Sequence, residues 1–414
     1  MIISMGSCKR DFDAPVPDTS WELFDAAPAG ILPHGVMKKM EGVYTITKGT
    51  ETFGPLAVLK WSYTKKGNDT IYNVSFFSET DIAYFICEAK KHDDYILVNG
   101  YWRKLSGTET GRVRLTISAA SGADHLFSSN PNTAANDVII SGVYGSGENV
   151  PDIPLEFAYA RPHYQAMPFE IIAHRGGGRN ADLLPASENS VEMILLAASL
   201  GATGVEIDVR MTKDEVPILY HDESLNERLV QKNGMLGPIK NFTYQQLNAT
   251  IKLKRGGKIP TLQEGLQTIL YNTPLRYVWI DVKYDGPLDK VRALQEQFMQ
   301  AAAAMGKPLE ITIGIPDEDV YNNFLQLPGY QNIPSLVELE PEKATAANAR
   351  IWAPMFTKGL QNDEVAAIQA QGRRAFVWTV DGANNVRKFM YEGKFNGILS
   401  NQPSIVAYYY YARL

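Results

Sequence analysis

Two pairs of charged residues, each pair set two positions apart in an apolar run, carry the chemistry of this 414-residue chain. In Gly204-Val-Glu-Ile-Asp-Val-Arg210, Glu206 and Asp208 alternate with aliphatic side chains. Successive strand side chains point to opposite faces, so both carboxylates fall on one face as a pair of oxygen ligands. Tyr277-Val-Trp-Ile-Asp-Val-Lys283 repeats the device with Asp281 and Lys283. Burying such groups is costly unless they are paired, hydrogen-bonded or bound to a cation, which argues for a polar site rather than a core. Oxygen-only ligation suits one hard divalent cation, Mg²⁺ or Ca²⁺, with Mn²⁺ also acceptable.

The histidines sharpen this reading. The chain has six, and beyond His163 only His174 and His221 remain. Each follows a β-type run, Glu170-Ile-Ile-Ala and Val216-Pro-Ile-Leu-Tyr. A lone histidine at a strand end is most often a core or capping residue. Two at matching strand ends, flanking a carboxylate pair, suit proton transfer near neutral pH.

Residues 169 to about 405 resemble the glycerophosphodiester phosphodiesterase family. The resemblance rests on His174-Arg175-Gly176, Glu188-Asn189-Ser190, Glu206-Ile-Asp208, Thr212-Lys-Asp214, His221-Asp222, Pro260-Thr-Leu262, Asp281-Val-Lys283 and Trp378-Thr379. Each motif is weak alone, but their order and spacing together are specific. The resemblance implies hydrolysis of a small glycerophosphodiester to glycerol 3-phosphate and an alcohol, with the divalent cation on Glu206, Asp208 and Asp281. Arg175 and Lys283 would clamp the phosphate, and His174 and His221 would share the proton work. Which histidine is acid and which base stays open, as does direct water attack versus a cyclic phosphate formed by the glycerol 2-hydroxyl. Glu188 reads either as a partner of Arg175 or a histidine, or as an acid before the helix that starts at Ser190. Trp378 reads as an apolar wall for glycerol carbons or as barrel packing. Three departures from the family pattern stand out. Asp281 replaces the usual Glu, Asn401 replaces the usual Asp and so loses a supporting carboxylate, and the loop Gly176–Ser187 is long.

To bring these groups together the chain needs parallel strands with a common end. From about residue 168 strand-like runs alternate with helical patterns, which predicts an α/β fold, a (β/α)8 TIM barrel whose site lies at the C-terminal strand ends. Strands are expected near residues 170, 205, 217, 279, 312, 337, 376 and 398, with Ile351-Trp-Ala-Pro also extended. The stretch from Asp222 to Arg276 is too long for one loop and predicts a lobe over the site. Residues 35 to about 160 carry short β runs without intervening helices, hence a small antiparallel β barrel or sandwich. The predicted domains are a leader and tether at 1–33, a β-rich accessory domain of bacterial-lipoprotein type at 34–162, and the catalytic barrel at 168–414. Modest, polar contacts between the two domains are expected, leaving the catalytic barrel separable.

A formal charge of −6 and the lack of a Lys/Arg run argue against a nucleic-acid partner. No apolar run reaches the roughly 18 residues of a membrane span. Two cysteines, Cys8 and Cys87, imply no disulfide framework. Met5-Gly-Ser-Cys8 resembles the end of a lipoprotein signal, predicting a lipid anchor at Cys8 and residence in the cell envelope, periplasmic or outer-membrane-anchored. Two rival readings are a related barrel phospholipase of sphingomyelinase D or phospholipase C type, and a binding protein with a weakened barrel. The oligomeric state is unknown from sequence.

Overall fold

The computed structural model describes residues 16–26, 32–128, 137–165 and 167–414. Its N-terminal part is a closed antiparallel barrel of β1 (Gly42–Lys48), β2 (Leu56–Lys66), β3 (Asp69–Ser78), β4 (Ala83–His92), β5 (Tyr95–Lys104), β6 (Thr110–Ile117), β7 (Ile139–Tyr144) and β8 (Ile153–Arg161), each pairing with the next and β8 returning to β1. Closure removes the sheet edges that would otherwise invite pairing with another chain. The period of two sorts its side chains. Tyr44, Ala57, Leu59, Phe76, Phe85 and Trp102 point inward and fill the barrel, together with the short helix His34–Met40. Their neighbours Val43, Val58, Phe77, Tyr84 and Tyr101 point outward and join the core of the second unit.

That second unit is a parallel barrel of β9 (Glu170–Ala173), β10 (Gly204–Met211), β14 (Tyr277–Val282), β15 (Glu310–Ile315), β16 (Ser335–Val337), β17 (Ile351–Trp352), β18 (Arg374–Val377) and β19 (Gly397–Ser400), closed by β19–β9 and β9–β10 pairing. Two expectations change. The run near residue 217, β11 (Pro217–Leu219), pairs antiparallel with β10 outside the barrel circuit. Too few residues separate it from β10 for a parallel crossover, which needs about a dozen or more, so the chain turns back as a hairpin. Ile351–Trp352 takes the vacant place, between β16 and β18. The stretch after Asp222 does form a lobe. It holds the ribbon β12 (Ser224–Leu225) and β13 (Gly237–Pro238), the helix Tyr244–Thr250 and a small core of its own around Leu229, Leu247 and Ile251.

The contact between the two barrels is apolar rather than modest and polar. The last helix, Pro403–Tyr411, is buried along most of its length and packs on β9 and β19 of its own barrel and on β2 and β3 of the other. A helix apolar all round belongs between two layers. Gly201 marks how close they come, since a Cβ there would stand 2.6 Å from Ala407 Cβ and 3.0 Å from Phe77 Cζ. Polar ties add to it: Arg161 donates to the carbonyls of Ala412 and Arg413, and Asn272 to that of Lys65. Part of the expected 1–33 tether is also docked, with Trp21 and Phe24 packed against Tyr95 and Leu97. Cys8 lies outside the described residues. No helix among them is long and apolar enough to cross a membrane.

Candidate active site

The inward positions of β10 and β14 change from apolar to charged as the strands approach their C-terminal ends. In register, Gly204 faces Tyr277, Glu206 faces Trp279 and Asp208 faces Asp281. Tyr277, Trp279, Leu336, Ile351, Phe376 and Leu399 make an apolar floor inside the barrel. Gly314 on β15 leaves room for the Trp279 indole, whose Nε1 would lie 2.4 Å from a Cβ there. Above the floor Glu206, Asp208 and Asp281 are 1%, 0% and 7% exposed.

One oxygen from each of the three lies within 4.8 Å of the others. Glu206 Oε1, Asp208 Oδ1 and Asp281 Oδ1 are buried without a hydrogen-bond partner among the described residues. Bare buried carboxylate oxygens are costly, and a hard cation resolves the cost, so this donor set fits one. Burial, then Asp208 and Asp281, holds Glu206 well above the usual carboxylate range. Burial also raises Asp281, against the pull of Lys283. Asp208 goes the other way: burial opposes its charge, but Lys283, His221 and Arg175 outweigh burial and lower it. Lys283 Nζ sits 2.5 Å from Asp281 Oδ2 and 3.6 Å from Asp208 Oδ1. Burial disfavours its charge, yet Asp281 and Asp208 prevail and raise its pKa.

Beyond β9 the chain turns tightly through His174–Gly176, with Arg175 at φ 52°. The turn aims the Arg175 backbone N–H at Glu206 Oε2, 2.7 Å away, and its Nη1 at Glu188 Oε1, 2.6 Å away. Arg175 Nε, 3.8 Å from Asp208 Oδ2, is buried without a hydrogen-bond partner, a donor left for an anion. Glu188 is 2% exposed and also receives Asn180 N and Arg228 Nη1. It is therefore a partner of Arg175. The helix Val191–Ala197 is capped instead by Ser190, whose hydroxyl accepts from Met193 N.

Each histidine is fixed through Nδ1. His174 Nδ1 lies 2.6 Å from Asn401 Oδ1, and an amide oxygen only accepts, so the proton is on Nδ1 and Nε2 carries the lone pair. Nε2 stands 3.7 Å from Glu206 Oε2. Burial, then Arg175, pushes this imidazole down to about 4. His221 reaches the mouth from the β11 hairpin, held by the Tyr220 N–H on Asp208 O. Its Nδ1 lies 2.6 Å from Asp222 Oδ1, and Asp222 is bound in turn by Arg228 and Asn226. Burial works against the Asp222 charge, but Arg228, His221 and Asn226 outweigh it and keep the group ionised. Trp378 packs on the apolar floor, donates to Ala353 O and is partly buried.

All nine predicted site residues thus meet at one rim, the carboxylates and Lys283 directly and Glu188 through Arg175. Other participants escaped the sequence reading. Asn189, between two residues of a quoted motif, donates to Asp208 Oδ2 and accepts from Asp208 N. Glu338, just past β16, has a buried unpartnered oxygen, and burial and Asp281 raise its pKa well above normal. Asp381 supplies the carboxylate that Asn401 lacks: it accepts from the Asn401 backbone and side chain, which turns the amide oxygen toward His174. Asp381-Gly382 reads as an ordinary turn, so only the fold could reveal it. Beside Lys283 a cavity of about 630 Å³ opens, lined by Arg210, Glu223, Lys240, Tyr284 and Pro287 among others.

The chain is similar to known proteins over part of its length. Residues 174–326 match the Glycerophosphoryl diester phosphodiesterase family. A glycerophosphodiester phosphodiesterase of Caldanaerobacter subterraneus is 24% identical over 242 residues, covering 56% of this chain and 94% of that protein. A glycerophosphocholine phosphodiesterase of Eremothecium gossypii is 43% identical over 79 residues, 18% of this chain, and the match spans only 6% of that relative. A crystal structure of a glycerophosphodiester phosphodiesterase from Parabacteroides distasonis aligns with a TM-score of 0.46 at 23% identity, covering 58% of this chain and 96% of that one. Behind its N-terminal β barrel, this chain thus carries a stretch, residues 174–326, that matches the model of the Glycerophosphoryl diester phosphodiesterase family.

Proposed function

We propose that the protein is a phosphoric diester hydrolase that cleaves small glycerophosphodiesters to glycerol 3-phosphate and an alcohol. The observation that carries this reading is the trio of buried, bare carboxylate oxygens beneath two cationic side chains and between two oriented imidazoles. Glu206, Asp208 and Asp281 would hold one divalent cation, Mg²⁺ or Ca²⁺ with Mn²⁺ as a further candidate, which when bound offsets negative charge on a phosphate oxygen. Arg175 Nε and Lys283 bind the phosphate from either side. His174, kept neutral by burial and backed by an amide, takes at Nε2 the proton of the nucleophile, which is either water or the glycerol 2-hydroxyl; in the second case water then opens the cyclic phosphate to give glycerol 3-phosphate. His221, held by Asp222 at Nδ1, delivers a proton to the departing alcohol. Trp378, partly buried at the barrel mouth, serves as an apolar wall for the glycerol carbons, and the cavity beside Lys283 has room for the alcohol portion. An anchor at Cys8 and residence in the cell envelope belong to the same proposal, supported by Met5-Gly-Ser-Cys8.

The test is product analysis. Glycerophosphocholine and glycerophosphoethanolamine, supplied with each cation in turn, should yield glycerol 3-phosphate in a coupled dehydrogenase assay. Turnover of an intact phospholipid with neither deacylated diester cleaved would favour a barrel phospholipase instead. Full activity after exhaustive chelation, with metal content confirmed as nil, would remove the cation from the reading.

A further inference from the structure

Arg103, on the outer face of β5, is 4% exposed. It stands in register with Tyr84 of β4, whose hydroxyl it meets, and its Nη1 crosses the seam between the barrels to donate to the carbonyl of Leu183. Desolvating a guanidinium is costly unless its hydrogen bonds offset it, so a neutral carbonyl is a poor partner for packing alone. Leu183 lies in the long rim loop at φ 55°, ψ 34°. The left-handed conformation is strained for a leucine and persists where surroundings hold it. Leu183 closes a local turn through its N–H on Asn180 O, and its carbonyl is held from the other barrel by Arg103.

Three residues upstream, Asn180 ties this loop to the chemistry. Its N–H donates to Glu188 Oε2 at 2.9 Å, its Oδ1 accepts from Glu188 N at 3.0 Å, and its Nδ2 donates to Arg228 O at 3.0 Å. Glu188 aims Arg175, while Arg228 holds Asp222, the residue behind His221. A cavity of about 220 Å³, lined by Arg103, Leu105, Leu183, Asn401 and Pro403 among others, opens between this loop and the two barrels. The Arg103 bond ties the loop across that opening.

We propose that Arg103 is a positioning residue for the reaction, through which the β barrel fixes the rim loop that orients Arg175 and His221. The proposal takes its assay from the diester hydrolysis read above, so one of its two readouts is independent of activity. In Arg103→Ala, hydrogen–deuterium exchange should rise across residues 177–187 and stay unchanged in β10 and β14. The kcat for glycerophosphocholine should fall about 10-fold or more with little change in KM, in line with the cost of slight misplacement of reacting groups. Guanidinium ion at millimolar concentration should restore part of that kcat in the Ala variant and none in the wild type. Arg103→Lys, which keeps charge but loses the fork, should show the same loop exchange without rescue, and it decides the matter if the Ala variant does not fold. Folded variants with wild-type loop exchange overturn the proposal, as does faster exchange with unchanged kcat. A wild type inactive on every diester would refute the functional reading instead, and the exchange result would still judge the brace.

Discussion

The cation site makes a prediction that needs no catalysis. Without a cation, Glu206 and Asp281 have pKa values above the ordinary carboxylate range. The folded state therefore binds more protons than the unfolded chain. Their contribution to stability is complete below the ordinary carboxylate range and is lost as pH rises through the raised values. The carboxylates alone therefore make the cation-free protein less stable at pH 8 than at pH 5.5, while the lowered His174 and His163 work the other way over the same window, so the shift should be read as the difference from Asp281→Asn. A cation competes with those protons, so its binding should tighten with pH and release protons. At a cation concentration 100 times Kd the stabilisation is about 2.7 kcal/mol. For a barrel of this size that is a rise in Tm of roughly 5–10 °C, at about 2–4 °C per kcal/mol. Calorimetry in two buffers of different ionisation enthalpy would count the protons released, and thermal melts with Mg²⁺, Ca²⁺ or Mn²⁺ at both pH values would read the shift. Asp281→Asn keeps the volume and discards the charge, and should abolish most of the rise. The reasoning is wrong if none of the three cations moves Tm at either pH, or if Asp281→Asn leaves the rise intact.

Three further outcomes follow from the geometry. His174→Ala and His221→Ala should each lower kcat by about 100-fold or more, the scale of a positioned acid or base; steady-state kinetics on folded variants checks this, and near-normal turnover removes that histidine from the mechanism. Lys283→Met should depress kcat more than it raises KM, because a clamp cation matters most as charge shifts in the transition state; a change confined to KM would contradict that role. Asp381→Asn should lower kcat by about 10-fold, the lower end for an orienting partner, because the Asn401 amide is then free to rotate its oxygen away from His174; unchanged turnover and pH profile would show that the amide is held some other way.

Much of the site was legible because strand periodicity is local. Two residues of spacing in an apolar run place Glu206 with Asp208, and Asp281 with Lys283, on one face, and β10 and β14 keep that arrangement. The βα alternation likewise carries the barrel, and outward alternation on β1 to β5 carries the first domain. Local pattern could not tell which strands close the circuit. β11 is as apolar as its neighbours, and its exclusion follows from a connection too short for a crossover. Nor did it reveal the last helix: Ile405-Val-Ala-Tyr-Tyr-Tyr-Tyr is rich in β-prone residues, yet burial between two barrels makes it helical.

The sequence by itself determined the ionisable groups, their shared faces and the parallel barrel that gathers them, because those depend on spacing within single strands. Only the tertiary structure decided how each group is held. Asp381 behind Asn401, Asn180 between Glu188 and Arg228, and Arg103 reaching Leu183 from 80 residues away are pairings of polar atoms. A hydrogen bond asks only that donor and acceptor meet within about 3 Å, whatever their separation in the chain, so no local periodicity records it.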